Sequence, residues 1–281
     1  MKNNFKFDRL NFVTAGMPLK TGKGGYAEAF NIIRDMDLDG MELEFVHGVR
    51  MSPESREKVK TLVKERNLII SAHAPFYINL NSQEEEKVAA SVQRIIETAL
   101  TAYEVGGYSI TFHAAFYMGK EKEAVYNQVK SQIEKINSVL QKENIDIWIR
   151  PETTGKATQW GDIDEIVRLS KEFENVLPCI DFSHIHARTA GEYNTYEEFC
   201  EILEKLGSIG NYAIENFHGH LAGIDYSAKG EKKHLNLEES DMNYKDLIKA
   251  MKSFGIKGSL VCESPNIEDD AALMKQYYMS L

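Results

Sequence analysis

Short apolar runs alternate with longer amphipathic stretches along the chain, in units of roughly 25 to 40 residues. An apolar run followed by an amphipathic stretch is the pattern of a β-strand followed by an α-helix. The predicted strands are Leu10–Thr14, Gly40–Phe45, Leu68–His73, Ser109–His113, Asp146–Glu152, Val176–Asp181, Ile214–Leu221 and Gly258–Glu263. This alternation predicts an α/β protein with a parallel sheet.

The number and spacing of these strands favour a closed barrel over an open sheet. An open doubly wound sheet usually carries a glycine-rich phosphate-binding turn after its first strand, and Thr14-Ala15-Gly16-Met17 is not such a turn. We therefore predict a single (β/α)8 TIM barrel. No Pro/Ser-rich linker or low-complexity tract divides the chain, so one domain is expected to span residues 1–281.

Two helices are predicted with the clearest boundaries. The first covers Glu123–Gln141 and has one apolar stripe with charged residues on its other face. The second begins with Ser82 and Glu85 in capping-box spacing and ends at the glycine pair 106–107.

Composition indicates a globular protein with a substantial core. Of the 281 residues, 43% are hydrophobic and 27% are charged. No apolar run approaches the roughly 18 residues that a membrane span needs, so we expect a cytosolic protein without a membrane partner, and a monomer. Cys179, Cys200 and Cys262 lack zinc-ribbon spacing and are interpreted as small apolar residues rather than a disulfide framework.

The formal net charge of -10 argues against binding nucleic acid over the whole surface, because phosphate contacts need clustered Lys and Arg. Bound dications would change this locally. Each adds two positive charges, which can make a cleft electropositive on a protein that is acidic elsewhere.

Seven of the eight histidines lie at or just beyond the carboxyl ends of predicted strands, where a barrel keeps its active site. Several acidic residues share these positions. In chain order the candidates are His73, His113, Glu152, Asp181, His184, His218, His220, Glu231, His234 and Glu263.

A carboxylate at the end of an apolar run needs a partner, because burying a lone charge costs several kcal/mol. Asp181 follows such a run, and the basic residues closest to these strand ends in sequence are Arg150 and Arg188. Imidazoles are more abundant, and imidazole with carboxylate is the ligand set of zinc and similar metals. The alternatives for single positions are a hydrogen-bonded core histidine or a salt bridge in the barrel mouth. His47 is interpreted as a surface or substrate-side residue, and His186 as either a supporting or an exposed residue.

Several motifs together resemble a known family. They are His73 with Ile78-Asn79-Leu80, Phe112-His113, Glu152-Thr153-Thr154-Gly155, Cys179-Ile180-Asp181 with His184, His220-Leu221, and Glu263. Their order and context, from about Ser71 to Pro265, resemble the endonuclease IV family of apurinic/apyrimidinic (AP) endonucleases, within the xylose isomerase-like barrel superfamily.

The resemblance implies a zinc site of two or three ions, with Mn²⁺ as an alternative metal. Glu152 would bridge two ions, with His73 and His113 joining it on the first. Asp181, His220 and Glu263 would hold the second, and His184 and His234 the third. The implied reaction is hydrolysis of the phosphodiester 5′ to an abasic site in duplex DNA, with Glu152 or Glu263 orienting or deprotonating the nucleophile.

The resemblance also implies residues that contact the substrate. Phe76 and Tyr77 follow His73 in the register of side chains that enter the duplex at the lesion, where aromatic rings can stack on bases. One of the pair could instead pack under its loop. Arg50 and His218 are further candidates for contact with the substrate.

The chain departs from the family pattern in three places. Lys232 stands where the family has the aspartate of its third-metal motif, and the nearest carboxylate is Glu231, so occupancy by two metals is an alternative. The segment Leu221–Asp225 replaces the usual Asn-Asp pair after His220. The loop after the second strand also lacks the usual DNA-contacting pattern, although Arg50 could serve.

Two other functions compete with the nuclease. A sugar isomerase or epimerase would use the same barrel with one or two metals, and fold alone does not separate the two. The additional histidines favour the nuclease, because the sugar enzymes generally use a smaller and more carboxylate-rich set; the net charge favours the isomerase. A non-catalytic metal-binding barrel is the third hypothesis.

Overall fold

The structure, a computed structural model, describes residues 5–281. Within them, strands and helices alternate for most of the chain. The strands are β1 (Leu10–Ala15), β2 (Gly40–Glu44), β3 (Ile69–His73), β4 (Ser109–Phe112), β5 (Ala115–Phe116), β6 (Trp148–Pro151), β7 (Gln159–Trp160), β8 (Ile180–Asp181), β9 (Phe217–Leu221), β10 (Gly223–Ser227), β11 (Gly230–Leu235) and β12 (Gly258–Cys262). The α-helices are α1 (Tyr26–Asp35), α2 (Pro53–Arg66), α3 (Glu85–Glu104), α4 (Lys122–Lys142), α5 (Ile163–Ser170), α6 (Phe182–Arg188), α7 (Tyr196–Gly207), α8 (Asn211–Glu215), α9 (Tyr244–Ser253) and α10 (Glu268–Ser280).

Eight of these strands form one parallel sheet in the order β6-β4-β3-β2-β1-β12-β9-β8. Parallel bridges from Ile149 to Val176 and from Glu152 to Cys179 join the two outer strands of that order. The sheet therefore closes on itself, and the predicted (β/α)8 barrel is confirmed. All carboxyl ends of the strands meet at one rim, which is where a barrel gathers its functional side chains.

Two predicted strand boundaries were wrong for local reasons. The strand predicted from Val176 is continuous only at Ile180–Asp181, because Pro178 has no N–H to donate to the ladder. The strand predicted from Ile214 begins at Phe217, because residues 211–215 form helix α8.

The predicted capping box also does not form. Helix α3 begins at Glu85 with Glu84 as its N-cap, and the Ser82 hydroxyl accepts the N–H of Glu84 at 3.2 Å within the preceding turn. By contrast, the predicted helix over Glu123–Gln141 is confirmed as α4.

Arg150 lies inside the barrel and directs its guanidinium away from the strand-end carboxylates. The residue is 1% exposed and donates to Ser109 Oγ at 2.7 Å, to the Pro178 carbonyl at 3.1 Å and to Asn216 Oδ1 at 2.6 Å. Arg150, although close to these carboxylates in sequence, therefore does not pair with them through its hydrogen bonds. This agrees with the expectation that imidazoles are their partners.

Two short antiparallel strand pairs lie at the carboxyl rim. Strands β10 and β11 form a hairpin directly after β9, and β5 pairs with β7. The hairpin packs next to α6. It is also joined to the loop after β6, where the N–H of Glu231 donates to the Gly155 carbonyl at 3.0 Å. Among the described residues, every helix is too short or too polar to cross a membrane.

Candidate metal centre

Glu152 lies at the centre of the rim and is fully buried. One of its carboxylate oxygens, Oε2, is 3.0 Å from His73 Nε2 and 3.1 Å from His113 Nε2. The other oxygen, Oε1, is 3.2 Å from His184 Nδ1 and 3.3 Å from His220 Nδ1. Each oxygen of Glu152 thus faces a separate pair of imidazoles, which suits a carboxylate that bridges two ions. On the Oε1 side the candidate ligand is His220, because the backbone carbonyl of Thr153 holds His184 Nδ1.

The rim residues form three overlapping groups in which the possible ligand atoms lie within 4.8 Å of one another. Their members are His73, His113 and Glu152 in the first, Glu152, Asp181, His220 and Glu263 in the second, and Asp181, His184 and His234 in the third. The structure thus brings together every metal ligand predicted from the sequence, and Glu231 Oε2 lies 3.7 Å from His184 Nε2 at the edge of the third group.

Unsatisfied buried atoms in this cluster fit the presence of cations. Glu152 Oε1, Asp181 Oδ2 and His220 Nδ1 are buried and have no hydrogen-bond partner within residues 5–281. Buried polar atoms of this kind are rare unless a partner such as an ion satisfies them. Carboxylates and imidazoles are also the donor types that zinc takes.

Backbone carbonyls fix the orientation of three of the histidine rings. The Nδ1 atoms of His73, His184 and His234 lie 2.7, 2.9 and 3.2 Å from the carbonyl oxygens of Ala74, Thr153 and Glu263, respectively. A carbonyl accepts only from a protonated nitrogen, so Nε2 is the nitrogen left on each ring for a ligand. Such supporting contacts are usual around metal-bound histidines.

Asp181 uses its two oxygens differently. It is the N-cap of α6, and its Oδ1 accepts the N–H of His184 at 2.7 Å. The second oxygen, Oδ2, is 3.2 Å from His184 Nδ1 and belongs to the site. The turn that starts α6 therefore holds two candidate ligands in place.

In the metal-free protein, the shifted pKa values favour ion pairs between the carboxylates and imidazoles of the site. Although burial raises the pKa of Glu152, the imidazoles of His113 and His220 hold it well below its usual range. Burial lowers the pKa of His73, but the hydrogen bond to Glu152 outweighs this and raises it to about 10. For Asp181, burial prevails and raises the pKa.

The third group depends on the β10–β11 hairpin rather than on a barrel strand. His234 is on β11, so its predicted position after a barrel strand was wrong, although it does reach the site. Lys232, which replaces the family's aspartate, has its ammonium 3.3 Å from Asp225 Oδ1 on the facing strand. Among the predicted ligands, Glu231 is the hairpin carboxylate nearest to His184.

Exposed aromatic rings stand beside the cluster. Phe76 and Tyr77 are 54% and 53% exposed, and their ring centroids are 4.1 Å apart. His47 Nδ1 lies 3.3 Å from the Tyr77 hydroxyl, in agreement with its interpretation as a surface or substrate-side residue. Arg50 is exposed in the loop after β2. These side chains are available to a ligand that approaches the rim.

His218 and His186 are buried rather than presented to solvent. His218 is 1% exposed and lies between the Tyr108 hydroxyl at 2.5 Å and Glu42 Oε2 at 3.0 Å, below the rim. This position argues against the predicted contact of His218 with substrate. His186 donates from Nδ1 to the Glu192 carbonyl at 2.9 Å and belongs to none of the three groups.

Sequence reasoning missed Glu42. This carboxylate is fully buried on β2, with His218 and His220 on either side of it. The available signal was an acidic residue on the inward-facing side of an otherwise apolar strand, Gly-Met-Glu-Leu-Glu. Cys179, interpreted as a small apolar residue, is buried next to the same histidines, and burial raises the pKa of its thiol to about 12.

The barrel and its rim of imidazoles and carboxylates define a class of metal-dependent TIM-barrel proteins. A model of the xylose isomerase-like TIM-barrel family matches residues 30–277. The chain therefore belongs to the xylose isomerase-like TIM-barrel family.

Relatives of the chain include proteins with and without an assigned activity. An uncharacterized protein of Methanocaldococcus jannaschii is 46% identical over 273 residues, covering 97% of this chain and 98% of the relative. A probable endonuclease 4 of Symbiobacterium thermophilum is 23% identical over 230 residues, covering 80% of this chain and 81% of the relative.

Solved structures of two kinds share the fold. A D-tagatose 3-epimerase-like protein superposes with a TM-score of 0.74 and 21% identity, covering 96% of each chain. Endonuclease IV from Thermus thermophilus superposes with a TM-score of 0.72 and 18% identity, covering 97% of this chain and 98% of the other. At these identities the likeness establishes the fold only.

We expect zinc binding to release protons at pH values where ordinary histidines are already neutral. A ligand imidazole must be neutral, and the pKa of His73 in the metal-free site is about 10 against an ordinary 6.5. Zinc affinity should therefore rise with pH up to about 10 and fall on acidification. Calorimetric titration at about pH 8, in buffers of different ionisation enthalpy, measures the released protons. Heats that do not depend on the buffer would contradict this.

We expect Gly155→Ala to weaken the third group selectively. A Cβ at this position would lie 2.7 Å from Glu231 Cβ and 3.1 Å from His184 Cδ2, so the hairpin has to shift. The matched control is Gly25→Ala, where a Cβ meets nothing within 4 Å. Elemental analysis should show less zinc in Gly155→Ala than in the control, with similar thermal stability. Equal zinc content in the two variants would disprove that zinc binding at the third group depends on the hairpin.

Proposed function

We propose that this protein is a metal-dependent AP endonuclease that hydrolyses the phosphodiester 5′ to abasic sites in duplex DNA. The observation that carries the proposal is Glu152, whose two oxygens face separate pairs of imidazoles. The three groups of candidate ligands around Glu152 contain more histidines than a site for one ion requires. The relative named probable endonuclease 4 supports the same function.

The residues fit two or three zinc ions, with manganese as the alternative. His73, His113 and Glu152 would hold the first, Asp181, His220 and Glu263 the second together with Glu152, and His184 and His234 the third, near Glu231. Bound dications lower the pKa of water, neutralise phosphate oxygens and stabilise the leaving alkoxide.

Two carboxylates are placed to orient the attacking water or take its proton. Although burial raises the pKa of Glu263, the neighbouring His220 lowers it to about 2, so this group is ionised and can accept a hydrogen bond from a water. Its side chain is 13% exposed, whereas that of Glu152 is 1% exposed. Glu263 is therefore the better placed of the two to orient a water on the open side, and Glu152 the better bridge.

The exposed rings of Phe76 and Tyr77 would contact the DNA. Stacked aromatic side chains can replace a missing base or pack on its neighbours, independently of sequence. Arg50, exposed after β2, would contact the phosphate backbone.

A sugar isomerase or epimerase is the second candidate. The group of Glu152, Asp181, His220 and Glu263 is by itself a carboxylate-rich set for one ion, and the D-tagatose 3-epimerase-like protein shares the fold. The net charge of -10 also suits a small neutral substrate better than a polyanion.

The test is incubation of the zinc-loaded protein with a duplex that carries one abasic site. We expect a single cut 5′ to the lesion, no cut in the matched undamaged duplex, and loss of cleavage with a chelator. An intact lesion strand would refute the endonuclease. A parallel incubation with a ketohexose in D2O, with the sugars separated by chromatography, then distinguishes the remaining hypotheses. A new sugar indicates an isomerase or epimerase, whether or not deuterium is incorporated next to the carbonyl, and unchanged ketohexose favours a non-catalytic barrel.

We expect Glu152→Gln to lower metal content and activity together, because the amide weakens a ligand shared by two ions. Elemental analysis and the cleavage assay measure the two effects on the same preparation. Glu134→Gln, which changes an exposed acid in the middle of helix α4, is the control. Unchanged zinc stoichiometry in Glu152→Gln would remove Glu152 from the ligands.

A further inference from the structure

A second carboxylate, Glu42, lies one layer below the candidate metal ligands inside the barrel. It is fully buried, and its Oε2 accepts a hydrogen bond from Ser71 Oγ at 2.6 Å. The same oxygen is 3.0 Å from His218 Nε2, and Oε1 is 2.9 Å from His220 Nε2, which are ion-pair distances. These two contacts are not aligned hydrogen bonds, since Glu42 Oε1, His218 Nε2 and His220 Nε2 have no hydrogen-bond partner among the described residues. Glu42 therefore acts on the two rings through its charge, and a buried carboxylate is costly unless such neighbours compensate it.

The protonation of His218 follows from its two neighbours. Its Nδ1 is 2.5 Å from the hydroxyl of Tyr108, which is 2% exposed. The charge of Glu42 beside Nε2 favours the tautomer of His218 that carries its proton on Nε2, and in that tautomer the Tyr108 hydroxyl donates to Nδ1. Tyr108, His218 and Glu42 thus form a chain of contacts that leads from the barrel interior to His220.

His220 differs from the other candidate ligands in what orients its ring. In His73, His184 and His234 a backbone carbonyl holds Nδ1, which leaves Nε2 for a ligand. In His220 the nitrogen that faces the support is Nε2, and the support is a side chain. Its Nδ1 faces the rim, 3.3 Å from Glu152 Oε1 and 3.2 Å from Glu263 Oε1.

We propose that Glu42 is a positioning residue that holds the Nε2 proton of His220 and so presents Nδ1 of that ring to the metal centre. This inference rests on the proposed metal centre, although not on the identity of the substrate. A carboxylate behind a ligand imidazole fixes the tautomer and the ring plane and makes the ligand more basic.

The first test needs no substitution. In protein labelled with ¹⁵N at histidine, long-range ¹H–¹⁵N spectra report which ring nitrogen carries a proton. We expect His218 and His220 to be protonated on Nε2, with slowly exchanging protons, and His220 to remain so after zinc is added. A zinc-loaded His220 with a proton on Nδ1, or with both nitrogens bound to metal, would overturn the proposal.

The second test is Glu42→Gln. A glutamine has one accepting oxygen, so only one of the two imidazoles keeps its partner, and His220 no longer has a fixed tautomer. We expect the zinc affinity measured by chelator competition to fall about 10- to 100-fold, the usual range for loss of such a support. The Nε2 proton of His220 should also exchange faster.

The matched control is Glu268→Gln, which changes another buried glutamate that accepts two donors, the N–H groups of Leu19 and Lys20. We expect wild-type zinc affinity in this variant. Equal affinities in the two variants would refute the role of Glu42. If Glu42→Gln does not fold, the wild-type spectra still decide. Wild-type protein that binds no zinc would instead refute the metal centre, while the spectra of metal-free protein still test the contact of Glu42 with His220.

Discussion

The organisation of this rim depends on the cost of burying carboxylates. Glu42, Glu152 and Asp181 are fully buried inside or at the mouth of the barrel. An isolated buried charge costs several kcal/mol, and the buried guanidinium of Arg150 points to other partners. Imidazoles therefore surround the carboxylates. Glu42 Oε1, Glu152 Oε1 and Asp181 Oδ2 have no hydrogen-bond partner in the described part of the chain, and the proposed cations would compensate the two at the rim.

The apolar runs were sufficient to predict the barrel, because a strand buried on both faces needs a run of this kind in every repeat. The strand-end residues were equally accessible, since parallel strands bring their carboxyl ends to one rim. The errors arose where local chemistry overrides the pattern. Pro178 interrupts a ladder, and residues 211–215 form a helix from a sequence that was interpreted as strand.

The sequence did not indicate how deep inside the barrel each inward-facing side chain lies. Arg150 and Glu152 are two residues apart and lie on the same face of the strand, but a strand rises about 3.3 Å per residue, so their side chains lie in different layers. For the same reason His218 lies below His220. Glu42 was missed because an acid on a short apolar strand gives no indication of which histidines it meets. His234 reaches the rim from a hairpin, which no periodicity near it indicated.

The two roles of Asp181 determine what a substitution at this position would change. One oxygen starts the helix that carries His184, and the other belongs to the ligand set. A substitution that removes the acid therefore disturbs the backbone beneath the neighbouring histidine as well. Asp181 and His184 are thus coupled through the backbone, and replacing the acid removes one candidate ligand together with the N-cap that positions the other.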